Sequence, residues 1–437
     1  MNDLNPSMRR SVHVTTLGCK LNQYDSEMLL TQLRSEGFSE TDSAHNADLV
    51  VVNTCAVTET AERKGRAAIR AALRQNPAAK VVATGCLAEK SAESLLSAGA
   101  EKVFGNREKE RLSEMLANNT QVEVGGINRD AEWSDGTVVE GLSGRTRAFL
   151  KIQDGCSQHC TYCIVPKLRG KGRSLPIELA VHRAEELVQR GFHEIVVTGV
   201  ALGTYGFDTE RTDTLPDIIQ AIARVTGLRR LRIGSVEPWA VSERFLHTVA
   251  ESEVICPHLH LPFQSGCDTI LRRMNRRYTV SELHRMLDYA SKLRSDWGIG
   301  ADVIVGFPGE TSDEFQTTKK FLENSAVSYL HVFPFSSRPG TAATRLDGQI
   351  PQGEVAGRAN ELRDLSRTLR KRFHQQQVGS RVEAIAEKRY GTRHIYGHAR
   401  NYADVAIPKN QISAGQVGEF QVERADADYL YCKSTND

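Results

Sequence analysis

Three thiols stand close together in Asp154-Gly155-Cys156-Ser157-Gln158-His159-Cys160-Thr161-Tyr162-Cys163, spaced C-x3-C-x2-C. Three thiolates on one short loop hold three irons of a [4Fe–4S] cluster and leave the fourth iron open. Thiolate is also the soft ligand that such clusters select. An open iron accepts the amino and carboxylate groups of S-adenosylmethionine and passes an electron to its sulfonium. The rival is structural zinc, which takes four protein ligands. His159 is the spare donor, and its place between two of the cysteines makes that arrangement strained.

A second set is dispersed. Cys19, Cys55 and Cys86 each end an apolar, β-branched run: Val12–Leu17, Leu49–Thr54 and Val81–Gly85. A helical pattern follows each. After Cys19, Asp25 or Ser26 is the expected cap of a helix carrying Met28, Leu29, Leu30 and Leu33, with Gly37 as its stop. Continuous apolar strands alternating with helices predict a parallel sheet covered on both faces. Sites in such sheets lie beyond the carboxyl ends of the strands, so neighbouring strands would make these three thiols converge. The plain alternative is three buried cysteines serving as small hydrophobes. The remaining Cys256, Cys267 and Cys432 show no spacing pattern and are expected to be inert packing.

The elements that must position these residues fill 437 residues, enough for about three domains. With 40% apolar and 25% charged residues the chain is not disordered. No run reaches the ~18 apolar residues of a membrane span, and the start lacks a secretory pattern; a cytoplasmic protein without membrane contact is expected. Nine cysteines in a reducing compartment indicate metal ligation or catalysis before crosslinks. The net charge of +2 makes no case for nucleic acid, so any such surface must come from local clusters. Residues 119–146 read as a polar, Gly-rich linker with an edge strand around Val138. Six strands then alternate with helices: Ala148–Gln153, Glu194–Gly199, Arg230–Ser235, His258–Pro262, Gly300–Val305 and Tyr329–Pro334. That predicts a partial (β/α)6 TIM-like barrel. From about 374, short runs (Val382–Ala386, His394–Ala399, Ala403–Ile407, Glu419–Val422, Tyr429–Cys432) predict a small all-β barrel. The fold class is therefore α/β, closed by an all-β module.

Several stretches resemble one family: Leu17-Gly18-Cys19-Lys20-Leu21-Asn22-Gln23, Asn53-Thr54-Cys55-Ala56-Val57-Thr58, Gln264-Ser265-Gly266-Cys267-Asp268 and Val305-Gly306-Phe307-Pro308-Gly309-Glu310-Thr311. With the C-x3-C-x2-C loop, they make the chain similar, end to end, to the radical S-adenosylmethionine methylthiotransferases. The Gly-Cys-Lys-x-Asn and Gln-Ser-Gly-Cys-Asp forms resemble the subgroup acting on N6-threonylcarbamoyladenosine in tRNA. The resemblance implies residues 10–118 as an N-terminal methylthiotransferase domain, 119–146 as linker, 147–372 as radical core and 373–437 as an RNA-binding TRAM domain. It implies two [4Fe–4S] clusters, one on Cys156, Cys160 and Cys163 and an auxiliary one on Cys19, Cys55 and Cys86 whose free iron carries an extra sulfur. S-adenosylmethionine is implied as methyl donor and radical source, with Thr198, Gly199, Glu237, Gln264 and Gly306 as candidate contacts and Pro308 beside them.

The implied partners are a tRNA anticodon stem-loop, a flavodoxin- or ferredoxin-type electron donor and a sulfur donor system. Cationic groups at Lys167–Arg173, Arg272–Arg277 and Arg367–Arg372, with Tyr278 and Phe373 nearby, suit phosphate contact and base stacking; solvated helix faces with ion pairs are the alternative. From His374 the chain carries eight Lys/Arg and eight Asp/Glu. RNA affinity there would rest on the placement of Arg389, Arg393, Arg400 and Lys409. The rival readings are the same chemistry on isopentenyladenosine or on a ribosomal protein side chain, and a non-enzymatic zinc-bound RNA module.

Overall fold

The computed structural model describes residues 10–128, 133, 146–208 and 212–434. The edge strand expected around Val138 lies outside them. By packing, residues 10–128 with 154–158 and 163–173 form one compact unit, and residues 146–153, 159–162 and 174–434 form another.

The first unit is built on the β-branched runs. Strands β1 (Ser11–Thr16), β2 (Ser39–Glu40), β3 (Leu49–Thr54), β4 (Lys80–Gly85), β5 (Lys102–Phe104) and β6 (Val122–Glu123) form one parallel sheet ordered β2-β1-β3-β4-β5-β6. Because side chains alternate along a strand, Val50 and Val52 join Ile69, Leu87 and Leu95 on one face. Leu49 and Val51 join Leu29, Leu30 and Leu33 on the other. Both faces are covered, which is why these strands read as unbroken apolar runs. The sheet extends beyond the three strands foreseen, and β6 falls inside the stretch read as linker. Ile164 and Leu168 are also buried in this core.

One helix start differs from expectation. The helix begins at Lys20, with Cys19 as its cap residue, and Asp25 and Ser26 lie buried inside it. Their side chains are engaged in a polar network instead of capping. The helix stops as foreseen: Gly37 takes φ +85° and Phe38 N–H closes on the Leu33 carbonyl.

Short strands β8 (Gln153–Asp154) and β9 (Arg173–Ser174) flank the cysteine loop. In the second unit, β7 (Ala148–Lys151), β10 (Glu194–Thr198) and β11 (Arg230–Ile233) form one parallel sheet. Strands β12 (His258–Gln264), β13 (Gly298–Val305) and β14 (Tyr329–Pro334) form another. Parallel bridges Leu231–Ile255 and Ser235–His260 link them into a six-stranded arc. The intervening helices start where the sequence offers caps: Thr279 with Glu282, and Thr311 with Glu314, make reciprocal capping boxes.

The last five strands, β15 (Arg381–Tyr390), β16 (His394–Ala399), β17 (Asp404–Pro408), β18 (Val417–Ala425) and β19 (Leu430–Ser434), close a barrel in the order β15-β16-β17-β19-β18. Phe373 is buried in its core with Val382, Ile395, Val405, Phe420 and Cys432, so it is a packing residue and offers no stacking face. The barrel meets the amino-terminal ends of the arc strands. Arg230 donates to the His398 carbonyl, and Arg232 to those of Ala399 and Arg400. Glu194, fully buried, pairs with both arginines and with Arg147. Their charges overcome the effect of burial and hold its carboxyl well below the usual range.

Candidate functional site

In the first unit β1, β3 and β4 are immediate neighbours, with Thr16 opposite Asn53 and Thr54 opposite Gly85. Cys55 and Cys86 follow directly, and Cys19 follows a Leu17-Gly18 turn. Gly18 has φ +106°, and a Cβ there would stand 2.7 Å from the Cys55 Cβ. Gly85, at φ +100°, would bring a Cβ to 2.3 Å of the Thr54 carbonyl oxygen. Both glycines are required by backbone conformation and close approach. Cys19 caps one helix and Cys86 opens another, so both residues stand at helix N-termini. Burial, together with the neighbouring Cys86 and Cys19, pushes the Cys55 thiol up to about 11.

A buried polar knot holds this region. Arg169 donates at 2.9 Å to each of Asn22 Oδ1, Asp25 Oδ2 and Asp154 Oδ1. Lys109 Nζ reaches Asp25 at 3.0 Å and Asn106 at 2.9 Å, and Asn106 Nδ2 lies 3.8 Å from Cys86 Sγ. Asn22 Nδ2 donates to the carbonyls of Leu17 and Thr54, tying the ends of two strands together. Arg169 and Arg173 belong to a run read as RNA-facing. Instead both are buried, Arg173 against Glu110. The knot was not foreseen; the available signal was Asn22 within the Gly-Cys-Lys-x-Asn stretch.

The donor set discriminates between metals. Tetrahedral zinc at about 2.3 Å from each sulfur would hold its thiolates roughly 3.8 Å apart. Among the described residues, three ligand atoms within 4.8 Å of one another occur only at His260, Asp302 and His331. Cys19, Cys55 and Cys86 thus do not all lie within 4.8 Å of one another, a spread wider than the thiolates of one zinc ion and one that separate irons of a cluster would accommodate.

In the second unit Arg276 Nη1 lies 3.3 Å from Cys160 Sγ. Its Nη2 donates to the Pro262 carbonyl and its Nε to Tyr278, which is itself buried. Arg276 and Tyr278 therefore brace the cysteine loop from within. The candidate cofactor residues occupy successive strand ends. Thr198 ends β10 and Gly199 follows, where a Cβ would meet Gln153. Glu237 lies past β11 and accepts from Gly203 N–H at 2.9 Å, and burial raises its carboxyl. Gln264 ends β12 with φ +66°, unusual for a non-glycine residue. Gly306 follows β13 at φ +75°, its N–H bonded to Glu310.

A further group was not foreseen: Asp302 lies between His260 and His331. Burial would raise its carboxyl, but hydrogen bonds from the two imidazoles prevail and bring it down to about 2.

Of the four barrel cations, Arg389, Arg393 and Lys409 are exposed, and Lys409 Nζ stands 5.9 Å from the ring centroid of the exposed Tyr390. Arg389 is paired with Asp404 and Glu387. Arg400 is turned into the fold, donating to the Glu253 and Ile255 carbonyls. Cys256, Cys267 and Cys432 are buried.

Comparison with known proteins accords with this arrangement. Uncharacterized protein family UPF0004 matches residues 11–105, and the Radical SAM superfamily matches residues 150–322. The chain is 34% identical over 423 residues to the threonylcarbamoyladenosine tRNA methylthiotransferase MtaB of Bacillus subtilis, covering 95% of this chain and 94% of that one. It is 32% identical over 425 residues to the tRNA-2-methylthio-N(6)-dimethylallyladenosine synthase of Fervidobacterium nodosum, covering 96% and 98%. Among solved structures, the fold is similar to the radical S-adenosylmethionine methyltransferase TsrM of Kitasatospora setae, with TM-score 0.56 at 16% identity over 75% of this chain and 73% of that one. The chain belongs to the radical S-adenosylmethionine methylthiotransferases, transferases whose cofactors are S-adenosylmethionine and [4Fe–4S] clusters.

Proposed function

We propose that this chain is a cytoplasmic tRNA methylthiotransferase that converts N6-threonylcarbamoyladenosine at position 37, 3′ of the anticodon, to its 2-methylthio derivative. The observation that carries the reading is a set of three thiols at the ends of three adjoining parallel strands, additional to the C-x3-C-x2-C loop. Replacing the adenine C2 hydrogen by methylthio makes three demands, a radical source, a sulfur donor and a methyl donor. Two thiol sets answer the first two, and one S-adenosylmethionine gives its methyl group to the sulfur while a second is cleaved to the radical. In this reading Cys156, Cys160 and Cys163 hold one [4Fe–4S] cluster and Cys19, Cys55 and Cys86 the other. When bound, the first supplies the electron for reductive cleavage of S-adenosylmethionine and the second the sulfur.

The chain's own groups bind and orient. Arg276 offsets the charge of Cys160. Thr198, Gly199, Glu237, Gln264 and Gly306 offer S-adenosylmethionine backbone and side-chain contacts along successive strand ends. Arg389, Arg393 and Lys409 meet phosphates and Tyr390 stacks on a base, while Arg400 drops out of that set because the fold employs it. Residues 10–118, 147–372 and 373–437 are the functional divisions, joined by 119–146. A flavodoxin- or ferredoxin-type donor supplies electrons, and a sulfur donor system replenishes the auxiliary site. Among the described residues no helix is long and apolar enough to cross a membrane.

Relatives bearing the threonylcarbamoyladenosine name are 34% to 36% identical to this chain. Those named for dimethylallyladenosine are 29% to 32% identical. The first substrate is therefore preferred and the second is the alternative. Turnover of tRNA with and without the threonylcarbamoyl group, read by nucleoside mass spectrometry, tests this. Methylthiolated product is expected only from the modified tRNA; product from isopentenylated tRNA alone sinks the assignment.

A further inference from the structure

His260 on β12, Asp302 on β13 and His331 on β14 come from three adjacent parallel strands. Their neighbours Leu259, Leu261, Ala301, Val303 and Leu330 are buried on the opposite sheet face. His260 Nε2 and His331 Nδ1 each lie 3.3 Å from Asp302 Oδ1, and the two nitrogens are 3.2 Å apart. Hydrogen bonds account for two sides of this triangle but not for the third. If both imidazoles donate to the carboxylate, their two N–H groups confront each other. If one is deprotonated there, its lone pair faces the carboxylate oxygen.

A cation at the centre answers all three lone pairs at once. Ligands about 2.0–2.2 Å from a metal stand roughly 3.0 Å apart at octahedral angles and roughly 3.4 Å apart at tetrahedral ones. The observed sides fall between these values. Ser235 Oγ lies 2.8 Å from His260 Nδ1. With the Nδ1 proton given to that oxygen, Nε2 is bare and aimed inward, which is the outer support that metal-binding histidines use.

We propose that His260, Asp302 and His331 bind one divalent transition-metal ion, independently of the cysteine-held clusters. Two imidazoles and one carboxylate suit Zn2+. Three protein ligands leave at least one position open to water or an anionic oxygen, as in catalytic rather than structural sites.

The test uses the full chain, reconstituted anaerobically with iron and sulfide, mixed with one equivalent of Zn2+ and desalted. Metal analysis and zinc X-ray absorption are then recorded. Near one zinc per chain is expected, with nitrogen and oxygen scatterers at about 2.0–2.1 Å. Retention should fall at least tenfold in Asp302→Asn and His331→Ala while iron and sulfide are unchanged. The His331 side chain is 49% exposed, so its removal spares the fold. Ser235→Ala, which keeps all three ligands, should weaken zinc affinity about tenfold. Absence of bound zinc, sulfur scatterers around it, or equal retention by the variants would each overturn the proposal.

Discussion

The two thiol sets are assembled in opposite ways. Cys156, Cys160 and Cys163 fall within eight consecutive residues, whereas Cys19, Cys55 and Cys86 span 68. The first set needs only a loop. The second exists only when β1, β3 and β4 lie side by side, with Gly18 and Gly85 at positive φ and the buried Arg169 knot in place. A local constellation announces itself by spacing. A dispersed one depends on register, so it should be fragile to changes that touch no cysteine.

The largest expected effect strikes the local set. Cys160→Ala should lower S-adenosylmethionine cleavage more than about 10³-fold, or about 4 kcal/mol of barrier. Iron should drop from about eight to about four per chain, because the dispersed set remains filled. Cleavage that persists would remove the loop from the radical role. Next comes Arg169→Met, which strips a buried cation from Asp25 and Asp154. A loss of about 3–5 kcal/mol in denaturant unfolding is expected. Arg169→Lys should restore little of it, since a point charge cannot reach three acceptors as the guanidinium fork does. A cost below about 1 kcal/mol would mean that the knot does not hold the region.

Gly18→Ala sharpens the contrast more gently. Strain at this φ costs about 1–3 kcal/mol, and the new Cβ presses on Cys55. Iron should fall toward half while S-adenosylmethionine cleavage stays within about threefold of the parent. Equal loss at both sets would show that they are not independent.

The same contrast explains what the sequence disclosed. Continuous β-branched runs gave away β1, β3 and β4, because strands covered on both faces have no polar side to interrupt them. The six arc strands and five barrel strands followed from period and turns. The cations did not. Arg169, Arg173, Arg276 and Arg400 read as surface charge because composition cannot distinguish a solvated guanidinium from one bonded to buried carboxylates, a thiol or backbone carbonyls. Glu194 with Arg230 and Arg232 is a similar case: three charges fully inside, visible only once barrel and arc are folded. The His260–Asp302–His331 triangle was hidden for another reason. Its members are 42 and 29 residues apart; parallel register sets Asp302 opposite His331, while His260, opposite Gly300, reaches them diagonally.

The smallest expected effect concerns the barrel end, where charge is exposed. Lys409 N–H bonds to the Arg393 carbonyl, which places these two cations on neighbouring segments beside Tyr390. Arg389 is partly neutralised by Asp404 and Glu387, so it has less charge to offer a phosphate. Arg393→Glu combined with Lys409→Glu should therefore weaken tRNA binding about tenfold at low salt and flatten the slope of log affinity against log salt by about two, one for each lost phosphate contact. Arg389→Gln should change the slope by less than one. Unfolding stability should be unchanged in both variants, because none of these side chains is buried. A salt slope identical to the parent's would take the barrel end out of the RNA interface, and the phosphate contacts would then have to be sought on the arc.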